Sequence, residues 1–282
     1  MNLPGISVLV SGLWVMNVGY WGFNQYIIQR ALAAKSIQEA QKGIAFAAYL
    51  KMLMPIIVVL PGIAAVILFP EIEKPDQAYP SMMSLMPVGI KGLVFAALVA
   101  AIISSLASMT NSISTIFTMD LYRPMRQGKD ENHYVNVGRL ATVTSLFIAV
   151  CVAQPLIGQS EQAFQYIQEF TGLFSPGITV IFLMGMFWKR TTSTGALAAA
   201  IGSALFSVLF AVLLPELPFM DRIGIVFLMC LALTYVVSLQ ESAPKNDHSV
   251  SISDVSFTTT KGFNIAGVGC VLILIGLYAT WW

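Results

Sequence analysis

Charge is what this sequence has least of. Only 10% of its 282 residues are Asp, Glu, Lys or Arg, and they balance to a net +1, against about 25% charged residues in an ordinary soluble domain. That scarcity excludes a water-soluble globular chain, and the missing basic excess leaves nothing to attract nucleic acid. Cysteine and histidine are nearly as rare. The three cysteines, Cys151, Cys230 and Cys270, are far apart and each lies in an apolar run, so they offer no metal or redox spacing and read as small buried hydrophobes. The two histidines, His133 and His248, fall in polar loops and give no basis for a metal or general-base site. No GxSxG, HExxH, Walker or dinucleotide signature is present, and the carboxylates are too scattered to pair as acid and base. The expectation is no enzyme and no cofactor.

Hydrocarbon is abundant instead: 57% of residues are hydrophobic and the mean hydropathy is +0.77. Apolar runs of the roughly 20 residues that a 30 Å bilayer core requires recur along the whole length. They predict an all-α polytopic protein of a lipid bilayer with eight spans, at 6–30, 43–69, 88–121, 135–157, 163–188, 194–214, 221–240 and 263–282. The third is too long for a straight crossing and should tilt or project. The Ser-, Thr- and Asp-rich segment 241–262 reads as a polar connector.

Loop charge predicts an orientation. Arg30, Lys35 and Lys42 follow the first span, Arg123, Arg126, Lys129 and Arg139 the third, Lys189 and Arg190 the fifth, and Lys245 and Lys261 the seventh. The alternate loops hold Glu71, Glu73 and Asp76, then Glu161, then Glu216 and Asp221. The positive-inside rule makes the basic loops cytoplasmic and puts both termini outside. A chain that starts outside, with no signal peptide or earlier helix to deliver Met1 there, reads as the later part of a longer protein.

Polar residues inside such spans need a reason. In "SGLWVMNVGYWGFNQYIIQR", Asn17, Asn24 and Gln25 sit in a lipid-length segment punctuated by Gly12, Gly19 and Gly22. That is the pattern of a discontinuous transporter helix lining a mid-membrane site, and equally of a packed helix with small residues at its contacts. Lys51 lies about 12 Å into a helix that begins near Gly43. An ammonium there either snorkels to the surface or faces an aqueous cavity, and Pro55 and Pro61 beyond it predict a kink. Seven hydroxyls crowd "AAIISSLASMTNSIST", residues 100–115. Ser104, Ser108, Asn111, Ser112 and Thr115 share one helical face, with Ser105 beside them, and suit either helix contact or a hard-cation site. In "EQAFQYIQEFTGLFSPG", Gln165, Gln168, Glu169 and Thr171 cluster at the outer end, Tyr166 and Phe170 lie among them, and Pro176 and Gly177 predict a break midway.

"WGFNQYIIQRALAAKS", "PVGIKGLVFAALVAAIISSLASMTNSISTIFTMD" and "AFQYIQEFTGLFSPGI" resemble the solute:sodium symporter family, and within it the galactose- and glucose-type sugar carriers, in the right order and over essentially the whole chain. The resemblance implies the second half of a five-plus-five inverted-repeat fold. Residues 1–190 would form the second repeat, its first helix discontinuous, and 191–282 three accessory helices. It implies Na+ as coupling ion and a sugar as substrate. Asn17, Lys51 and Gln168 match sugar-binding positions, Tyr20 the aromatic closing the inner side, and Trp21 its neighbour. Ala101, by its carbonyl, and Ser104 and Ser105, by their hydroxyls, match one part of the sodium site. The first repeat, absent here, would supply the rest. Two departures stand out: the loop around residues 70–87 is shorter than in the sugar carriers, and Gly19 stands where they carry an aromatic. The rival readings are a symporter for a non-sugar solute and a truncated membrane module that cannot transport.

Overall fold

A backbone in hydrocarbon must satisfy its own polar groups, and this chain does so with helices. The computed structural model describes residues 5–157, 162–241 and 255–281. Glu161, Lys245, His248 and most of the connector 241–262 lie outside the described residues, as does Met1. Among the described residues every regular element is helical. In chain order these are α1 (Ile6–Phe23), α2 (Gln25–Leu32), α3 (Ile37–Leu68), α4 (Ala78–Ser84), α5 (Val88–Met125), α6 (Glu131–Ile157), α7 (Ala163–Gly172), α8 (Ser175–Phe187), α9 (Ser193–Leu213), α10 (Phe219–Gln240) and α11 (Lys261–Trp281). Seven described helices are long and apolar enough to cross a membrane, and the bent pair α7–α8 makes an eighth span. This is a multi-pass membrane protein.

The first span is interrupted. It carries π-helical turns at Leu9–Leu13 and Gly19–Phe23. The chain then leaves helical geometry at Asn24 (φ −80°, ψ 115°) before α2 begins. The second span starts earlier than hydropathy predicts, at Ile37 rather than near Gly43, because Ser36 caps it. The Ser36 Oγ accepts from the Glu39 N–H at 3.2 Å, the first half of a Ser-x-x-Glu capping box. It is disturbed at Leu53, ahead of a π-helical turn over Pro55–Val59. α5 runs 38 residues and passes through a π-helical stretch at Ile116–Tyr122 near its end. The fifth span bends by 41° between α7 and α8. The break falls at Leu173–Phe174, ahead of Pro176, because Pro176 occupies the first turn of α8, where proline's missing N–H costs nothing.

The chain divides into two compact units, residues 1–28 with 164–258 and residues 29–163 with 259–282; the boundary falls inside α2. The first unit holds the continuous core: Val15, Val180, Ala199, Ile223, Val226, Phe227 and Cys230. α1 and α10 cross closely, because a Cβ on Gly224 would lie 2.8 Å from the Ser11 backbone and one on Gly12 would overlap the Met220 carbonyl oxygen. The Asp221 carboxylate, in the first turn of α10, pins that crossing by accepting from Ser11 Oγ at 2.7 Å and Ser7 Oγ at 3.2 Å. Trp14 meets Phe227 edge-on at 5.0 Å.

One buried side chain, Ser203 of α9, serves both arms of the α7–α8 bend. Its hydroxyl donates to the Leu173 carbonyl at 2.8 Å and accepts from the Gly177 N–H at 3.0 Å. Ser203→Ala leaves a donor and an acceptor unsatisfied in an apolar setting and is expected to cost about 2–4 kcal/mol. A thermal melt of the detergent-solubilised protein reads that loss directly, and an unchanged midpoint would show that the bend stands without the hydroxyl.

In the second unit α5 packs on α6, and Ser114 Oγ donates to the Gly138 carbonyl at 2.9 Å. α11 lies against α3, where Tyr49 donates to the Ala266 carbonyl at 3.0 Å and Gln41 Oε1 accepts from the Thr260 N–H at 3.0 Å.

Candidate functional site

Of the residues matched to sugar-binding positions, Asn17, Tyr20, Trp21 and Gln168 belong to the first unit and Lys51 to the second. Asn17 is exposed on α1, and its Nδ2 donates to the Leu13 carbonyl, at the end of the first π-helical turn, at 2.8 Å. The helix thus holds the amide's donor end, while its Oδ1 makes no hydrogen bond among the described residues. Tyr20 and Trp21 meet edge-on at 5.2 Å just before the Asn24 break. Tyr26, after the break, meets Tyr20 edge-on at 5.9 Å and donates to the Tyr20 Oη at 2.6 Å. Sequence reasoning passed over Tyr26, because an interrupted helix has no fixed register with which to align positions six apart.

Gly19 has a local reason to lack a side chain. A Cβ there would come within 2.7 Å of the Thr179 Oγ1 on α8, a hydroxyl that already donates to the Ser175 carbonyl at 2.8 Å. One turn on, Phe23 stacks on Phe182 at 4.8 Å. Gln168 is half-buried on α7. Beside it Gln165 Nε2 donates to Glu169 Oε1 at 3.0 Å and Thr171 Oγ1 donates to the Gln168 carbonyl at 3.0 Å, so the polar cluster at this end is tied by local bonds. Lys51 is exposed on α3, two residues before the irregular turn at Leu53.

The hydroxyl-rich run of α5 separates into jobs. Thr110 and Thr115 donate back to the preceding turn, to the Leu106 and Asn111 carbonyls at 2.8 Å each, and Ser114 reaches α6. Ser108 accepts from Arg30 Nη2 at 2.5 Å and donates to the Ser104 carbonyl at 3.2 Å. The side chains of Ser104 and Ser105 are different: both are exposed, and neither hydroxyl makes a hydrogen bond among the described residues. With the Ala101 carbonyl one turn earlier, these neutral oxygens form a donor set suited to a hard monovalent cation and unsuited to zinc or iron. Among the described residues no cluster of His, Cys, Asp and Glu could hold such a metal.

A broken first span with amides and aromatics at the break is the pattern of the discontinuous helices found in secondary transporters. The chain matches the sequence profile of the sodium:solute symporter family over residues 5–202, and it belongs to that family. It is 48% identical, over its whole length, to the sodium/glucose cotransporter of Vibrio parahaemolyticus, of which it covers 55%. It is 39% identical to the sodium/myo-inositol cotransporter 2 of Sus scrofa, with 71% of this chain and 32% of that protein aligned. To the sodium/mannose cotransporter of Bos taurus it is 38% identical, with 66% and 34% aligned. The chain thus spans about half the length of the first of these relatives and a third of the others.

Proposed function

We propose that the protein carrying this chain couples downhill Na+ movement to uptake of a galactose- or glucose-like sugar by alternating access in a bacterial inner membrane. The observation that carries the reading is the pair of adjacent, exposed hydroxyls, Ser104 and Ser105, that make no hydrogen bond among the described residues. Residues 1–190 act as the second inverted repeat and 191–282 as accessory helices. A first repeat completes the sodium cage and supplies further sugar contacts. The basic loops face the cytoplasm and both ends of this stretch face outward. Na+ at Ala101, Ser104 and Ser105 favours the outward-open state, and sugar then binds through Asn17, Lys51 and Gln168. Tyr20, with Trp21 behind it, closes the inner exit until both are released. The relatives named for glucose, mannose and myo-inositol support a ring polyol, since amides and an ammonium offer hydrogen bonds to hydroxyls without demanding a charged ligand.

The test is uptake of labelled galactose and glucose into proteoliposomes under an inward Na+ gradient, with K+ as the control ion. Uptake that ignores the ion would refute the reading. Lys51→Ala is expected to raise the sugar KM at least about tenfold, because a charge-assisted hydrogen bond contributes roughly 1.5–3 kcal/mol. Sodium-induced stabilisation of the same variant should survive, and normal sugar affinity in it would remove Lys51 from the site.

A further inference from the structure

The bond between Arg30 and Ser108 has no role in the reading above, and it sits one helical turn from the proposed sodium hydroxyls. It belongs to a set of linked contacts between the end of α2 and α5, all inside the second unit. Arg30 Nη2 donates to Ser108 Oγ at 2.5 Å, and that hydroxyl in turn donates to the Ser104 carbonyl at 3.2 Å. Gln29 Nε2 donates to the Ser108 carbonyl at 3.4 Å, and Asn111 Nδ2 donates to Gln29 Oε1 at 3.2 Å. Each side chain in the set both restrains and is restrained. A guanidinium is the group suited to begin such a chain, because its donors lie in a rigid plane and its charge strengthens every link that follows.

We propose that Arg30 is a positioning residue for the sodium site. By holding Ser108, and through it the Ser104 carbonyl, it fixes the turn Ser104–Ser108 so that the Ser104 and Ser105 hydroxyls are presented together. It also ties that turn to the arm of the first span that follows the Asn24 break. Sodium binding is thereby coupled to the position of α2. Two features separate this from an ordinary helix contact. The relay ends on the residue proposed as a ligand, and it starts on the only cation of α2.

The inference rests on the sodium-symport reading, and the experiment separates the two. Sodium-dependent sugar uptake is measured in the intact protein as a function of Na+ concentration, and then as a function of sugar at saturating Na+. In Arg30→Gln the half-saturating Na+ should rise about fivefold or more, a typical coupling between linked sites. Sugar KM at saturating Na+ should stay where it was. Arg30→Lys, which keeps a cationic donor, should restore most of the loss, and a purely steric role would not give that rescue. Ser108→Ala, the smaller change should Arg30→Gln fail to fold, should reproduce the shift. The double variant should be no worse than either single one, because both break the same chain. Half-saturating Na+ that is unchanged or lower in Arg30→Gln, or effects that multiply in the double variant, would overturn the inference while leaving symport intact. A wild-type protein whose uptake ignores Na+ would overturn both.

Discussion

Replacing Ser104 and Ser105 together with alanine is expected to abolish the sodium dependence of uptake. An alkali ion in a membrane site has only the oxygens around it to replace its water, and a site without permanent charge depends on each of them. Losing even 1.4 kcal/mol at one ligand raises the half-saturating concentration about tenfold. Two ligands on one ion do not add simply, but a rise of tenfold to a hundredfold takes the requirement beyond ordinary Na+ levels. The gradient can then no longer be harvested, including the roughly 2.3 kcal/mol per charge for each 100 mV of membrane potential. The measurement is uptake at graded Na+ together with Na+-induced thermal stabilisation in detergent. Thr110→Ala and Thr115→Ser are the controls, since those hydroxyls bond their own helix. Persistence of the wild-type Na+ response in the double variant would move the site elsewhere.

Gly12→Val or Gly224→Val should prevent the first unit from assembling. At this crossing the obstacle is backbone: an added Cβ at Gly224 meets Ser11 Cα and C, and one at Gly12 meets the Met220 carbonyl as well as Ile223 Cβ at 2.9 Å. No flexible side chain can move aside, so α1 and α10 must separate. That opens the Ser11–Asp221 bond and uncovers Val15, Ile223 and Phe227. Overpacking typically costs 1–3 kcal/mol where neighbours can yield, and the cost here should reach about 3 kcal/mol or more. The expected result is loss of folded protein in membranes and an early-melting remainder by fluorescence-detected size exclusion. Gly185→Ala, where an added Cβ meets nothing within 4 Å, should express and melt like the wild type.

How much of this could be read in advance varied by residue for physical reasons. The spans are legible because the bilayer imposes one length on every crossing, so composition alone locates them. Helix ends are less so: the start at Ile37 depends on the Ser36 cap, a local hydrogen bond that hydropathy does not register. The bend in the fifth span is announced by Pro176, but its position at Leu173–Phe174 and its stabiliser Ser203 depend on a partner 30 residues away. The hydroxyls at 100–115 of α5 look alike in the sequence, most of them on or beside one helical face. Only contacts with Arg30, Gly138 and the helix's own carbonyls separate Ser104 and Ser105 from the five that are occupied or buried elsewhere. Tyr26 was silent for a related reason, its partnership with Tyr20 existing only across a break.

The two interruptions in this chain differ in mechanical kind. The α7–α8 bend is held from both sides by a single enclosed oxygen, so it has one preferred angle and little freedom to change it; it is an elbow set in place. At Asn24 the arms are joined by an extended residue and by a pair of phenol rings whose contact can part and re-form. A spin-label pair straddling each break should therefore give a narrow distance distribution across the elbow under all ionic conditions. Across Asn24 the distribution should be broad and responsive to sodium.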